Sequence, residues 1–259
     1  MNYYLVGTGN MAWFLGGRLK DAGHQCKGVY GRKAENAQTM AEHCGATVLQ
    51  HLSDIQDDAD CCIIAVSDHS IAGVANELQL KNTVVIHTAG AVPLDVIRKE
   101  NKAVLWFIYS ILKTELPDHR AIPAMWEANG EHAKRVVTSI AGAISDIVME
   151  GNADKRTWLH LSAVFANNFT NHIVTICEQI CHEQGVSFKL MMPILQQTLY
   201  RINYKSPADL QTGPAIRRDD ETVAKHLKML ADTPQRQRIY RAVTQSIEDM
   251  YNSEGEGKE

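Results

Sequence analysis

Short apolar runs alternate with helical-period segments over the first 150 residues. Tyr3-Tyr4-Leu5-Val6 runs into a glycine turn, after which Trp13, Phe14 and Leu19 recur at helical spacing, predicting a strand, a turn and a helix. Gln25 to Tyr30 predicts a second strand, Ala34 to Cys44 a helix, and Thr47 to Leu49 a short strand. Cys61 to Val66 is apolar on both faces, as a central parallel strand should be, and Thr83 to Ile86 reads the same way. A helix from Ile71 to Leu78 separates them. Val104 to Tyr109, Ala121 to Trp126 and Asp146 to Met149 predict further strands, with a helix from Glu131 to Ile144. From Asp154 onward strand-like runs stop. Helical periodicity takes over, broken near Gly185, Pro193, Pro207, Gly213-Pro214 and Pro234. The expected architecture is α/β over residues 1–151, a doubly wound and mostly parallel sheet, followed by an all-α domain over 152–252. The Gly- and Glu-rich tail, 253–259, is expected to be disordered.

The first turn carries the most specific chemistry. Gly7-Thr8-Gly9-Asn10-Met11-Ala12 has the spacing G-x-G-x-x-A, directly after a strand and opening a helix. Gly7 permits the tight turn, Gly9 lets the backbone approach a pyrophosphate, and Ala12 keeps helix and strand close. This is the dinucleotide fingerprint of the Rossmann sheet. At the end of the second strand an acidic residue would take the ribose hydroxyls of NAD, whereas an arginine suits a 2'-phosphate. Tyr30 is followed by no Asp or Glu there, but by Arg32 and Lys33. NADP is therefore favoured over NAD, the alternative being that both cations belong to a solvated turn. Two later strands end in small polar loops, with Val66, Ser67 and Asp68 in one and Thr88 and Gly90 in the other. Ligands of doubly wound sheets sit beyond the carboxyl ends of strands, so these residues are expected to flank the nicotinamide. Capping and turn chemistry are their other reading.

Charge and composition narrow the class. The 259 residues carry a formal charge of -4 with both signs mixed, so no basic stripe marks a nucleic-acid partner. No run of eighteen apolar residues is present, so no membrane span is expected, and the chain reads as soluble and cytoplasmic. The six cysteines show no disulfide-framework spacing.

In the helical half, His160, Asn167, Asn168, Asn171 and His172 recur at spacings of seven, eight, eleven and twelve from His160, which predicts one polar helix face. Such a stripe can hold a small polar substrate by hydrogen bonds, or it can bridge helices or face solvent. His160, Asn167 and Asn168 are the candidate catalytic group, with His160 the best proton donor or acceptor by residue type. Asn171 and Arg217, the latter in Gly213-Pro214-Ala215-Ile216-Arg217-Arg218-Asp219, are candidate substrate contacts. No metal site is expected, since twelve residues of helix put His160 and His172 about 18 Å apart.

Taken in order, GTGNMA, HTAGAVPLDVI, HLSAVFANNFTNH and TGPAIRRD resemble a bacterial family of Rossmann-like oxidoreductases whose helical C-terminal half is a domain of unknown function. Its members are often labelled NADP- or deazaflavin-dependent, and it is similar to the β-hydroxyacid dehydrogenase and pyrroline-5-carboxylate reductase superfamily. The resemblance implies a homodimer packed through the helical domains, and an active site between the domains. Two departures stand out. Where the family tends to read Tyr-Pro-Leu-Gln-Thr-Phe-Ser, this chain has Trp106 to Leu112 without the proline and glutamine. Ala163 and Val164 also precede Asn167 where β-hydroxyacid dehydrogenases carry a lysine. The leading expectation is hydride transfer to or from a small polar substrate. A non-catalytic dinucleotide-binding redox sensor or regulatory protein is the alternative.

Overall fold

The structure, a computed structural model, describes residues 1–252. The expected disordered tail lies outside the described residues. The chain forms two compact units, Met1–Phe169 and a second beginning at Thr170.

The first unit is built on one eight-stranded sheet. Its strands are β1 (Asn2–Val6), β2 (Gln25–Tyr30), β3 (Thr47–Leu49), β4 (Cys61–Ile64), β5 (Val84–His87), β6 (Lys102–Phe107), β7 (Ala124–Ala128) and β8 (Val148–Glu150), in the spatial order β3-β2-β1-β4-β5-β6-β7-β8. All neighbours are parallel except β6 and β7, which pair antiparallel with Leu105 opposite Trp126. The connecting helices are α1 (Asn10–Asp21), α2 (Ala34–Cys44), α3 (Asp68–Glu77) and α4 (Gly130–Ile144). Alternate residues of each central strand serve opposite faces. Leu5, Ile63, Ile86 and Leu105 join Phe14, Leu15 and Ile140 in one core; Val6, Cys62, Ile64 and Val85 join Ile71 and Leu78 in another. On α4 the buried set Ala133, Val136, Val137, Ile140, Ala141 and Ile144 follows the helical repeat, so the helix lies flat on the sheet.

The sheet ends at Glu150, next to the expected change of domain, but the first compact unit continues through α5 (Ala153–Ala163) to Phe169. The cause is an anchor inside α5: Arg156 is fully buried and donates to Glu127 of β7. Leu159 of the same helix packs on Val104, Trp106 and Met125. Beyond α5 the chain winds through a π-helical stretch, Val164–Phe169.

The second unit contains α6 (Thr170–Glu183), α7 (Met192–Arg201), α8 (Asp220–Met229) and α9 (Pro234–Asn252). Arg236 donates two hydrogen bonds of 2.6 Å to the Glu183 carboxylate, tying α9 to α6, and His226 pairs with Tyr240 at 2.8 Å across α8 and α9. Asp219 caps α8, its carboxylate accepting from the Thr222 N–H at 3.0 Å and hydroxyl at 2.8 Å. Among the described residues no helix is long and apolar enough to cross a membrane, and no group of His, Cys, Asp and Glu could hold a metal ion.

Candidate dinucleotide site

β1 leads directly into Gly7-Thr8-Gly9. Gly7 has φ +127°, and a Cβ on it would lie 2.1 Å from the Ala65 carbonyl oxygen, so only glycine lets this turn pass the end of β4. A Cβ on Gly9 would meet nothing within 4 Å, leaving the space over its backbone open to a ligand. α1 then starts without a side-chain cap and without an acidic residue in its first turn. Its leading N–H groups are thus left for water or an anion, and the helix dipole favours the anion. A dinucleotide pyrophosphate fits this cradle in shape and in charge.

A cavity of about 790 Å³ lies over the turn. Gly7, Thr8, Gly9, Asn10 and Met11 line it from the turn and α1, Arg32 and Lys33 from the end of β2, and Val66, Ser67 and Thr88 from the ends of β4 and β5. No Asp or Glu is among its lining residues. The other expected cofactor residues sit elsewhere. Ala12 is fully buried behind the turn, where it serves packing. Asp68 is the first residue of α3 and does not line the cavity. Nor does Gly90, where a Cβ would come within 2.6 Å of the Trp106 indole: this glycine makes room for the tryptophan.

Tyr30, Gly31, Asn36, Ala65, Ser70 and Val74 also line the cavity and were not legible as site residues. Gly31 carried a usable signal. A Cβ there would lie 2.6 Å from the Thr8 methyl, so a glycine immediately after the second strand lets β2 close against the fingerprint. Asn10 also makes a tertiary bond. Its side-chain oxygen accepts from the Lys113 N–H at 3.2 Å, tying the start of α1 to the loop after β6. Arg18 reinforces the same tie by donating to the carbonyls of Pro117 and, at 2.9 Å, His119.

Behind the end of β5 lies a buried polar cluster. His87 Nδ1 accepts from the Ala89 N–H at 3.3 Å, which assigns the ring proton to Nε2, a fully buried atom without a protein partner among the described residues. Burial first, and the nearby Arg156 guanidinium second, push the His87 pKa down to about 4. His87 is therefore a neutral core group at neutral pH. Arg156 donates to Glu127 and, at 3.3 Å, to the Val92 carbonyl.

The polar stripe expected on one helix is interrupted. His160 lies near the end of α5, exposed, with its ring edge-on to Trp106 at 5.9 Å between centroids. Asn167 and Asn168 fall inside the π-helical stretch, both exposed, while Asn171 and His172 begin α6 in the second unit. A π turn takes up more residues than an α turn, so the 3.6-residue spacing rule does not carry across it. Residues 160 and 171 are thereby removed from a common ideal face. Arg217 lies in the second unit, exposed, two residues before the Asp219 cap.

Comparison with known proteins agrees with this geometry. Residues 3–90 match the family described as NADP oxidoreductase coenzyme F420-dependent, and residues 122–247 match a domain of unknown function, DUF2520. Along the chain the two matches follow the order of a Rossmann-like oxidoreductase with a C-terminal domain. Among solved structures, this chain is similar to a Bacteroides fragilis protein provisionally named an NADP oxidoreductase, with 29% identity, coverage of 96% of this chain and 98% of that one, and a TM-score of 0.86. It shares its fold with a pyrroline-5-carboxylate reductase from Streptococcus pyogenes at 14% identity, with 96% and 98% coverage and a TM-score of 0.62. It also shares it with an imine reductase from Myxococcus stipitatus in complex with NADP+ at 14% identity, with 98% and 93% coverage and a TM-score of 0.64. A comparison with curated proteins gives no significant match. In this chain α5 ends at Ala163, and no lysine lies between Arg156 and Phe169. Over that span His160 is the one histidine.

Proposed function

We propose that this protein is an NADP-dependent oxidoreductase that transfers a hydride to or from a small polar substrate. The observation that carries the reading is the composition of the cavity: the uncapped start of α1 lies on one side, Arg32 and Lys33 on another, and no carboxylate lines it. In this reading the backbone of Gly7 to Met11 receives the pyrophosphate, and Arg32, assisted by Lys33, pairs with the 2'-phosphate. Val66, Ser67 and Thr88 flank the nicotinamide ribose and ring. The bound nicotinamide would supply the hydride chemistry. His160 exchanges the accompanying proton, and Asn167, Asn168, Asn171 and Arg217 are the proposed substrate contacts. Names among the structural relatives, an NADP oxidoreductase and an NADP+-bound imine reductase, support the same cofactor.

Titration with NADPH and NADH tests the cofactor assignment. Arg32→Ala should raise the NADPH Kd by roughly 10- to 100-fold, the value of about 1.5–3 kcal/mol for a charge-assisted bond, and change NADH by less than twofold. Equal losses for both cofactors would remove the 2'-phosphate role.

The absence of a lysine ahead of Asn167 favours a second reading, a non-catalytic dinucleotide-binding sensor or regulator. Tight NADPH binding without turnover across keto acids, imines and hydroxy acids would select it. The partner proposed for the helical half is a second copy of this chain. Leu190, Ile194, Leu199, Tyr200 and Tyr204, each at least 60% exposed, leave apolar surface that a monomer does not cover. A sedimentation mass equal to one chain at micromolar concentration would refute the dimer. The cytoplasm is the proposed compartment, its reducing conditions suiting six cysteines of which five are buried.

A further inference from the structure

Arg156 stands apart from every other charged side chain described: it is fully buried, under the second face of the sheet. Its Nη1 donates to Glu127 on β7 and its Nη2 to the carbonyl of Val92 in the loop after β5, while Nε has no partner among the described residues. An apolar residue would pack a helix on a sheet at lower cost than a desolvated guanidinium. Selecting one register over its neighbours is the better-attested use of a buried ion pair.

What that register sets is visible on the same helix. Arg156, Leu159 and His160 stand three and four residues apart, so they share the face of α5 turned to the sheet. Leu159 packs into the cluster of Val104, Trp106 and Met125, and the His160 ring meets Trp106 edge-on at 5.9 Å. Gly90 also abuts the Trp106 indole, its backbone approaching too closely for any Cβ. Sliding α5 by one turn, about 5.4 Å, would break the Glu127 pair and lift His160 off the indole together.

We propose that Arg156 is a positioning residue: by locking α5 to Glu127 and Val92 it fixes the His160 imidazole against Trp106, at the carboxyl edge of β5 and β6. The proposal rests on the reading of His160 as the proton-exchanging group, but its structural content stands apart from the cofactor.

The test is side-chain NMR of the full chain, following the His160 imidazole resonances, which the Trp106 ring current displaces. A Trp106→Leu variant supplies the reference without that displacement. Arg156→Met keeps the length of the side chain and removes the fork. It should move the His160 resonances more than halfway toward the Trp106→Leu positions, with the NADPH Kd within twofold of wild type. Arg156→Lys should restore part of the displacement, since a point charge can still reach Glu127. A folded Arg156→Met protein whose His160 resonances stay in place, whatever its thermal stability, overturns the proposal. Should Arg156→Met fail to fold, Glu127→Gln weakens the pair more gently and is read in the same way, an unmoved His160 again overturning it. Failure of the wild-type chain to bind NADPH would instead sink the oxidoreductase reading and leave the NMR result intact.

Discussion

In β4 and β5 of the first unit every side chain is buried, whereas in the second unit Cys181 and Ala215 are the only buried apolar residues among those described. Both units are compact and both carry apolar residues at regular spacing, yet they solve the burial problem differently. The first wraps helices over two faces of a sheet and keeps its own core. The second aligns four helices whose apolar positions remain half in water, and helices of 10 to 19 residues draw most of their stability from packing rather than propensity. A regular apolar period therefore shows that a face exists and leaves open what covers it.

The sharpest way to break this comparison is to separate the units. A fragment of residues 1–169 should melt cooperatively, and a fragment of residues 170–252 should show weak helical circular dichroism with no sharp transition when dilute. A sharp, concentration-independent melt of the second fragment would show that it holds its own core. A paired substitution gives the next largest contrast. Ile63→Ala, in the fully buried β4, should cost about 2–5 kcal/mol in urea unfolding. Leu199→Ala, 60% exposed on α7, should change monomer stability by less than about 0.5 kcal/mol while weakening self-association in sedimentation equilibrium.

Acid should act on the first unit through His87. Its folded pKa is depressed to about 4 from 6.5, so between these values the unfolded chain binds a proton that the folded chain refuses. The contribution is complete above pH 6.5, declines as pH falls, and is lost by about pH 4, a total of roughly 3 kcal/mol. Chemical denaturation across that window should show the slope, and His87→Gln should flatten it. Within the first unit the smallest effect expected is that of Asn10→Ala, which removes the single bond to the Lys113 N–H and should lower that unit's stability by about 1 kcal/mol.

The legible parts of the chain were those where local pattern and tertiary role coincide. β2 and α2 have the bounds that periodicity and turn residues predict, because an apolar strand, a glycine and a helix start follow one another without competition. The turn from Gly7 to Met11, with Arg32 and Lys33, faces one cavity for the same reason: each belongs to a strand end whose direction the sheet dictates. Other residues depend on distant partners. Asn36, Ser70 and Val74 reach the cavity only through the placement of α2 and α3, and Gly90 answers to the bulk of Trp106, sixteen residues along. Strand β7 runs Ala124–Ala128 rather than Ala121 to Trp126, because its register is set by pairing with β6, in which Val104 faces Glu127. Arg156 was silent in the sequence, where a buried arginine looks like any surface one.

The π-helical stretch Val164–Phe169 has a consequence for how this chain is aligned with its relatives. A turn of this kind accommodates an extra residue without breaking the helix around it. A relative with an unbroken α-helix at this point would thus match α5 in one phase and α6 in another, separated by a one-residue gap. Equivalences for His160 and for Asn171 have to be drawn from opposite sides of that gap, and an ungapped alignment would assign at least one of them to the wrong position.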